Sequence, residues 1–233
     1  ITGADWRIDI DRNTGFIARY DVAGLSLLDE GHQLSPNFWR APTDNDMGAG
    51  LQRKYAMWRH PELELRSLKM QEEANQVVRI EANYILPSVG AELTLRYGID
   101  ASGHLLYEQT MHPGAKKDVP NLFRFGLRME LPKVFNQVDY YGRGPVESYP
   151  DRKHSQHFGH YTGTVEEQFY PYIRPQETGL KSDLTFFRVL DQGGRGLEVR
   201  SDRYFMASAL NRSMESLDGY PKKTQQHSEL IPV

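Results

Sequence analysis

Residues 77–111 contain three runs in which apolar and polar side chains alternate: VVRIEANYI (77–85), AELTLRYGI (91–99) and LLYEQTM (105–111). This period of two places one set of side chains on each side of an extended strand. The second and third runs are separated by Asp100-Ala101-Ser102-Gly103, residue types that are typical of a tight turn. The stretch therefore predicts neighbouring antiparallel strands joined by hairpins.

The same alternation continues on both sides of this stretch. Alternating runs lie at 7–11, 17–22, 123–131 and 137–141, and further strands are predicted at 182–189, 196–201 and 205–209. Only residues 51–58 and 213–217 are typical of short helical turns. We therefore predict an all-β fold of antiparallel sheets. Because 233 residues lie within the size range of one large β-sandwich, we expect a single domain over residues 1–233.

Composition excludes several classes of protein. Hydrophobic residues make up 39% of the chain and charged residues 25%, values typical of a globular domain. The net charge is −3 and no segment concentrates Lys and Arg, so we expect neither nucleic acid nor a lipid surface as a partner. No apolar run approaches the roughly 18 residues of a membrane helix. The sequence has no cysteine, which excludes disulfides, thiolate catalysis and cysteine-ligated metals.

The ends of the sequence are typical of a fragment. The chain begins at Ile1 rather than Met, and its last residues, HSELIPV (227–233), are typical of the beginning of a strand. We therefore expect both ends to be cut from a larger protein.

Two stretches, residues 36–50 and 142–179, lack periodicity and are predicted to be long loops. Both are rich in Pro, Gly, Asp, Asn and aromatic residues. Long loops of this kind in a compact domain usually carry function or form interfaces.

The first loop contains Asp44-Asn45-Asp46, which places two carboxylates and an amide side by side. An EF-hand calcium loop would need a Glu where this chain has Tyr55, so its spacing does not fit. We favour a structural role in which Asp and Asn side chains accept backbone N–H bonds, with Arg40 pairing to one carboxylate.

The second loop contains His154, His157 and His160 at three-residue spacing, which on a helix would be a possible zinc geometry. Its polar and glycine-containing surroundings instead favour an exposed loop with solvated histidines, so no metal site is predicted. Gly142-Arg143-Gly144 is too short for a phosphate-binding fingerprint, which excludes a nucleotide site of that kind.

The same loop mixes aromatic and charged side chains. This mixture suits either a protein interface or a sugar site, because pyranose rings pack on aromatic faces and Arg and Tyr are enriched at interfaces. The candidate residues, with Tyr170 beside them, are Arg143, Glu147, Tyr149, Asp151, Arg152, Tyr172, Arg174 and Glu177.

Three motifs carry a specific family resemblance: FWRAPTDNDMG (38–48), GRGPVESYPDR (142–152) and YPYIRPQETG (170–179). Together they resemble, in the same order, the C-terminal small-chain domain of bacterial β-galactosidases of glycoside hydrolase family 2. The resemblance runs from the opening ITG (1–3) to HSEL (227–230). Thr178 stands where the family usually has Asn.

The resemblance implies a galactose-mutarotase-like supersandwich, truncated at its C-terminus, that forms the fifth domain of enzymes hydrolysing terminal β-galactosides with retention. It implies that both catalytic Glu residues lie on a barrel domain outside this chain, so no catalytic residue is expected here. No cofactor is expected in this region either, since the Mg and Na ions common in intact family members lie on other domains. The implied partners are the remaining domains of the same chain, further copies in a homo-oligomer, and galactosides. The compartment, cytoplasmic or periplasmic, stays open.

Two other interpretations stay open: a free-standing carbohydrate-binding module, and an aldose epimerase, whose fold is similar but whose motifs are not found in this sequence.

Overall fold

The computed structural model describes residues 1–73 and 76–218 of the chain. Within these ranges, strands dominate and helices are short, so the fold is all-β and its strand pairs are antiparallel. The strands are β1 (Trp6–Ile10), β2 (Ile17–Val22), β3 (Leu25–Ser26), β4 (Ser35–Asn37), β5 (Glu64–Glu73), β6 (Val77–Leu86), β7 (Ala91–Ile99), β8 (Leu105–Pro113), β9 (Gly126–Arg128), β10 (Gln137–Gly144), β11 (His157–Thr164), β12 (Lys181–Leu190) and β13 (Gly196–Ala207). The α-helices are α1 (Asp44–Gly48), α2 (Leu51–Lys54) and α3 (Met214–Asp218). None of the helices in the described ranges has the length and apolar character of a membrane span.

The chain divides into two compact units. Unit 1 contains residues 1–39 and 51–132, and unit 2 contains residues 40–50 and 133–233, of which the structure describes those up to 218. The expectation of one domain over 1–233, and that of a supersandwich, stay predictions.

Unit 1 is built on a four-stranded meander in the order β5-β6-β7-β8. The alternating runs put Tyr84 and Leu95 on the buried face, whereas Glu81 and Arg96 pair across β6 and β7 on the exposed face. A three-stranded sheet, β1-β2-β3, and the pair β4-β9 complete the unit. Burial of the apolar set therefore fixes the register of this sheet, because a slip of one residue would expose it.

Unit 2 is built on a four-stranded sheet in the order β11-β10-β12-β13. One face is buried and carries Val138, Tyr140, Phe187 and Val189. Gly142 belongs to this face, where a Cβ atom would lie 2.8 Å from Leu184 Cδ2. Glycine at this position thus serves close packing inside the sheet.

Most strand predictions are confirmed. The runs at 17–22 and 91–99 coincide with β2 and β7, and the runs that begin at 77, 105 and 137 extend a few residues beyond their predicted ends. The predicted helical turns at 51–58 and 213–217 are also present, the first as α2 followed by a 3₁₀ turn at Ala56–Trp58.

Three further predictions, one of them for a pair of strands, are wrong in part. The predicted strands at 196–201 and 205–209 form one continuous strand, β13. The run at 123–131 contributes only β9, because its partner β4 is itself three residues long. The predicted loop at 36–50 contains β4 at its start and the short helix α1.

The largest correction concerns the predicted loop at 142–179, which contains strand β11 and 3₁₀ turns at Lys153–Ser155 and Glu166–Gln168. His157 and His160 are exposed on β11, and their odd spacing points them to opposite faces of the strand rather than to one helical face. The apolar segment at 227–233 and the HSEL motif lie outside the described residues.

Candidate functional site

The candidate site lies at one end of the unit 2 sheet. Because neighbouring strands are antiparallel, β10 ends where β11 and β12 begin, with Gly144 opposite His157 and Tyr141 opposite Phe186. The two connections of this sheet, residues 145–156 and 165–180, carry seven of the eight candidate residues, and Arg143 precedes them on β10. Sheet topology therefore brings the second and third family motifs together.

Glu147 joins these two connections through a buried carboxylate. Its Oε2 atom accepts hydrogen bonds from Thr178 Oγ1 at 2.9 Å and from the Gly179 backbone N–H at 2.9 Å. Its Oε1 atom accepts from the Tyr172 hydroxyl and from Arg152 Nη2. Four donors on four residues thus converge on one carboxylate, which fixes the connection at 145–156 against that at 165–180.

Backbone geometry supports this arrangement at Gly179. Its φ of +74° lies in the left-handed region that glycine adopts readily, and a Cβ atom there would meet Gln168 O at 2.7 Å. Thr178 Oγ1 also accepts a hydrogen bond from the Tyr170 backbone N–H at 3.1 Å, so the chain closes on itself between these residues.

The electrostatics keep Glu147 ionised. Burial alone would raise the pKa of its carboxyl, but the hydrogen bonds from Tyr172, Gly179, Arg152 and Thr178 lower that pKa below the ordinary value. Burial and the hydrogen bond to Glu147 raise the pKa of Tyr172, which keeps its hydroxyl protonated as a donor. The ionised carboxylate thus accepts two hydrogen bonds on each of its oxygens.

Two aromatic side chains, Tyr149 and Tyr172, contact Arg152. Its guanidinium carbon lies 5.0 Å from the centre of the Tyr149 ring, and the rings of Tyr170 and Tyr172 are 4.6 Å apart. Asp151, the neighbouring candidate, is exposed on the surface of the same connection.

Arg174 and Glu177, two of the candidate interface or sugar residues, are buried. Arg174 Nε donates to Asp44 Oδ1 at 2.9 Å, and its Nη2 donates to the Pro42 carbonyl at 3.1 Å. Gln176 Oε1 accepts from the Asp44 backbone N–H at 2.8 Å. The first family motif is thereby tied to the third within unit 2.

Arg40, Asp46 and Thr43 organise α1 itself. Thr43 caps the helix in a capping box with Asp46, and Arg40 donates to both oxygens of the Asp46 carboxylate, at 2.5 and 3.1 Å. Burial would raise the pKa of Asp46, but hydrogen bonds from Arg40 and Thr43 lower it. Asn45 is exposed on the helix.

Arg143 belongs to a second ion-pair cluster that the sequence did not predict. Its Nε donates to Asp183 Oδ2 at 2.6 Å, and Lys153 Nζ donates to Asp183 Oδ1 at 2.9 Å. Arg143 Nη1 also donates to the carbonyl of Gln156 at 3.1 Å. The cluster fixes the 3₁₀ turn at Lys153–Ser155 to β10 and β12.

Three buried polar residues of the site were also missed from sequence. Ser148 and Ser182 share a hydrogen bond of 2.6 Å between their hydroxyls. Lys181 is buried, and its ammonium group donates a hydrogen bond to the Pro145 carbonyl at 3.2 Å. The Tyr140 hydroxyl donates to the same carbonyl. A buried lysine at a strand start gives no local signal, because Lys is ordinarily an exposed residue.

Hydrogen bonds and ion pairs already occupy the carboxylates of the site. Glu147, Asp46 and Asp183 each accept from at least one cationic side chain. The arrangement is therefore chemically a rigid scaffold. Its exposed apolar side chains, Val146, Tyr170 and Ile173, stand on the two connections that Glu147 joins.

Comparison with protein families gives a match over nearly the whole chain. The family described as beta galactosidase small chain matches residues 2–232. The chain belongs to this family. The three motifs that carry the resemblance thus lie, in this small-chain member, on segments that converge in unit 2.

Several relatives of this small-chain domain are named beta-galactosidase. The protein of Lactobacillus delbrueckii subsp. bulgaricus is 39% identical over 207 residues, which are 87% of this chain and 20% of the relative. The protein of Priestia megaterium is 31% identical over 94% of this chain and 21% of its own length. The protein of Vibrio cholerae is 32% identical over 99% of this chain and 22% of its own length. The chain spans about a fifth of the length of the relatives that it matches.

Proposed function

We propose that this chain acts as the accessory C-terminal domain of a retaining β-galactosidase. In the intact enzyme it supports the catalytic barrel and the oligomer, and it shapes the rim of the galactoside site. The names of the relatives and the share of their length that the chain matches support this assignment.

The observation that carries the proposal is a contrast in exposure within the connections at 145–156 and 165–180, which Glu147 joins. Their buried, hydrogen-bonded residues form a base, and their exposed apolar side chains are here called the tips. Glu147, Thr178 and Arg174 are buried and hydrogen-bonded, whereas Val146, Tyr170 and Ile173 are 58%, 57% and 83% exposed. Exposed apolar side chains on a rigid base are typical of interface anchors, because docking them loses little conformational entropy. We infer that the rest of the polypeptide covers these tips.

The contribution to the galactoside rim rests on the chemistry of the same segments. Tyr172 and Arg152 lie at the surface edge of the Glu147 network, where an aromatic face and a guanidinium group are available side by side. Pyranose rings pack on aromatic faces, and guanidinium groups donate to hydroxyl groups. In this proposal the pair of catalytic carboxylates belongs to the barrel domain and not to this chain.

A chimeric enzyme tests the proposal. The region of the Lactobacillus delbrueckii β-galactosidase that matches this chain is replaced by residues 2–232, and hydrolysis of nitrophenyl β-galactoside is compared with that of the enzyme from which the region is deleted. We expect the chimera to be active and the deletion to be inactive. Ile173→Asp should weaken activity through the docking surface, whereas Asp151→Asn, an exposed change on the same connection, should keep it.

A folded chimera with no more activity than the deletion would contradict the proposal. Equal activities of the Ile173→Asp and Asp151→Asn chimeras would contradict the docking role of the tips.

A further inference from the structure

Asp183 stands at an irregular point of β12. Of the four non-glycine residues with positive φ in the described part of the chain, Asp183 alone lies within a strand, with a φ of +52°. Strand β12 has one residue more than β13 here, since Lys181 lies opposite Ala207 and Leu184 opposite Phe205. A β-bulge of this kind re-aims a side chain, and a strained backbone persists where the surrounding structure holds it. The contacts of the Asp183 carboxylate therefore indicate what the bulge serves.

The Asp183 carboxylate holds the connection at 145–156 in two ways. Lys153 Nζ donates directly to Asp183 Oδ1 at 2.9 Å. Arg143 Nε donates to Asp183 Oδ2 at 2.6 Å, and the Nη1 atom of the same guanidinium group donates to the carbonyls of Lys153 at 3.3 Å and Gln156 at 3.1 Å. Burial would raise the pKa of the Asp183 carboxyl, but the hydrogen bonds from Lys153 and Arg143 lower it below its ordinary value. The 3₁₀ turn is therefore held both by a side chain and by its backbone.

Arg152 directly precedes this turn and is attached to it. The Arg152 carbonyl accepts hydrogen bonds from the Ser155 backbone N–H at 3.2 Å and from Ser155 Oγ at 2.8 Å. The guanidinium group at the other end of the side chain lies over the Tyr149 ring and donates to Glu147 and to the Tyr172 hydroxyl. The place of the guanidinium group thus depends on the place of the turn.

Both ends of the Arg152 side chain are therefore held in advance of any ligand. A long side chain that is already ordered loses little conformational entropy when it binds. Loss of the Asp183 carboxylate would free the turn and leave only the guanidinium end attached, so the entropic cost of binding through Arg152 would rise. Asp183 can thus affect affinity for a ligand that it does not touch.

We propose that Asp183 is a positioning residue for sugar recognition, which holds Arg152 in place at the rim of the galactoside site through Lys153 and Arg143. The inference rests on the proposed function, in which Arg152 lies at that rim. Because the catalytic carboxylates belong to the barrel domain in that proposal, loss of Asp183 weakens substrate binding and leaves the chemical step unchanged. A purely structural role would instead lower the amount of active enzyme, and with it kcat.

Steady-state kinetics of lactose hydrolysis by the chimeric enzyme test the inference. We expect Asp183→Asn to raise KM about fivefold or more and to leave kcat unchanged, because it removes binding interactions only. Asn tolerates the left-handed backbone, so this variant removes the charge and keeps the bulge. Asp183→Gly also accepts the positive φ and should raise KM by the same factor. Asp191→Asn, at the opposite end of β12, removes a charge that pairs with Arg195 and is the matched control that should keep both constants.

A double-mutant cycle shows whether Asp183 acts through Arg152. Arg152→Ala should itself raise KM, and adding Asp183→Asn should raise KM no further, since both changes remove the same interaction with the sugar. Thermal unfolding of the purified chain checks that each variant folds. If both Asp183 variants unfold, Lys153→Met cuts the same link from the other side and should raise KM likewise.

A fall in kcat at unchanged KM would assign Asp183 a purely structural role and overturn the inference. Unchanged KM in an Arg152→Ala chimera would overturn it as well, as would a full further rise in KM from Asp183→Asn in that background. An active wild-type chimera whose Asp183 variants keep its KM contradicts this inference alone, whereas a folded but inactive wild-type chimera contradicts it together with the proposed function.

Discussion

Single carboxylates decide how the motif segments of unit 2 are held. Asp44 and Glu147 lie 103 residues apart in the sequence, and each secures part of the 170–179 motif: Asp44 through Arg174 and Glu147 through Thr178 and Gly179. Carboxylates clustered in a loop, such as that of Asp44, resemble metal ligands in sequence. In the structure, Asp44 accepts a hydrogen bond from Arg174, and Glu147 accepts from the backbone N–H of Gly179. The chemistry of each carboxylate therefore depends on what lies opposite it.

We expect Asp44→Ala to destabilise the chain. The substitution removes the charge-assisted hydrogen bond from the buried Arg174, at a cost of about 2 kcal/mol in the free energy of unfolding. For a chain of this size that corresponds to a fall in melting temperature of roughly 4 to 8 °C, measurable by differential scanning calorimetry. Asn45→Ala, at the exposed neighbouring position, should change stability by less than about 0.5 kcal/mol. Unchanged stability combined with a loss of sugar affinity would mean that Asp44 binds substrate instead.

Lys181 should make stability depend on pH at the alkaline side. Burial lowers the pKa of its ammonium group to about 8, against about 10.4 in an unfolded chain. Between these values Lys181 binds more protons in the unfolded chain than in the folded chain, so its contribution to the free energy of unfolding rises with pH, by about 2 kcal/mol from pH ~8 to pH ~10. Lys181→Met should remove this contribution, so the difference in the free energy of unfolding between wild type and variant should grow in favour of the wild type by about 2 kcal/mol over this pH range.

Urea unfolding at a series of pH values measures the effect. Lys54→Met, on the exposed part of α2, is the control and should keep the wild-type slope. A Lys181→Met variant whose free energy of unfolding changes with pH in the same way as that of the wild type would show that Lys181 is not held in a desolvated site.

At the scale of elements, the connections of the unit 2 sheet carry more organisation than their composition suggests. The connection from β10 to β11 and that from β11 to β12 share the Glu147 network, and α1 is fixed to the second of them by Arg174. Most polar groups of these segments bind one another. Few are left to recognise a ligand.

This internal pairing predicts weak sugar binding by the chain alone. We expect galactose and lactose to bind with a dissociation constant of about 1 mM or weaker, since a tight site needs a closed set of groups that face the ligand. NMR titration of the purified chain measures it, with glucose as a control ligand. Saturable micromolar binding that Tyr172→Ala abolishes would favour the carbohydrate-binding-module interpretation over docking.

At the scale of the whole molecule, this chain corresponds to about a fifth of the length of the relatives that it matches. This chain forms two compact units, each with its own antiparallel sheet. A retaining glycosidase needs two carboxyl groups about 5 to 5.5 Å apart. In unit 2 the buried carboxylates of Glu147 and Asp46 are instead neutralised by Arg152 and Arg40.

The isolated chain should therefore not hydrolyse nitrophenyl β-galactoside. The assay measures nitrophenol release by highly purified chain, with the Lactobacillus delbrueckii β-galactosidase as the positive control. Steady turnover that co-purifies with the chain would show that it carries a catalytic site of its own.

The amino-acid sequence by itself determined the all-β class and most of the strands, because burying one face of a strand requires a period of two in the residues themselves. It failed for β11, HFGHYTGT, and for β5, ELRSLKMQEE, since both are edge strands that bury few side chains and so carry little alternation. The motifs likewise identified the family from local sequence alone.

Only the tertiary structure decided which residues of the candidate site meet. The Arg174–Asp44 ion pair joins residues 130 positions apart, and Glu147 reaches Gly179 across 32 positions, so no local pattern encodes either contact. The structure also decided that Arg174 is buried and that Arg143 pairs with Asp183. Strand pairing determines these neighbours, because two side chains share a face only when the register of their strands places them there.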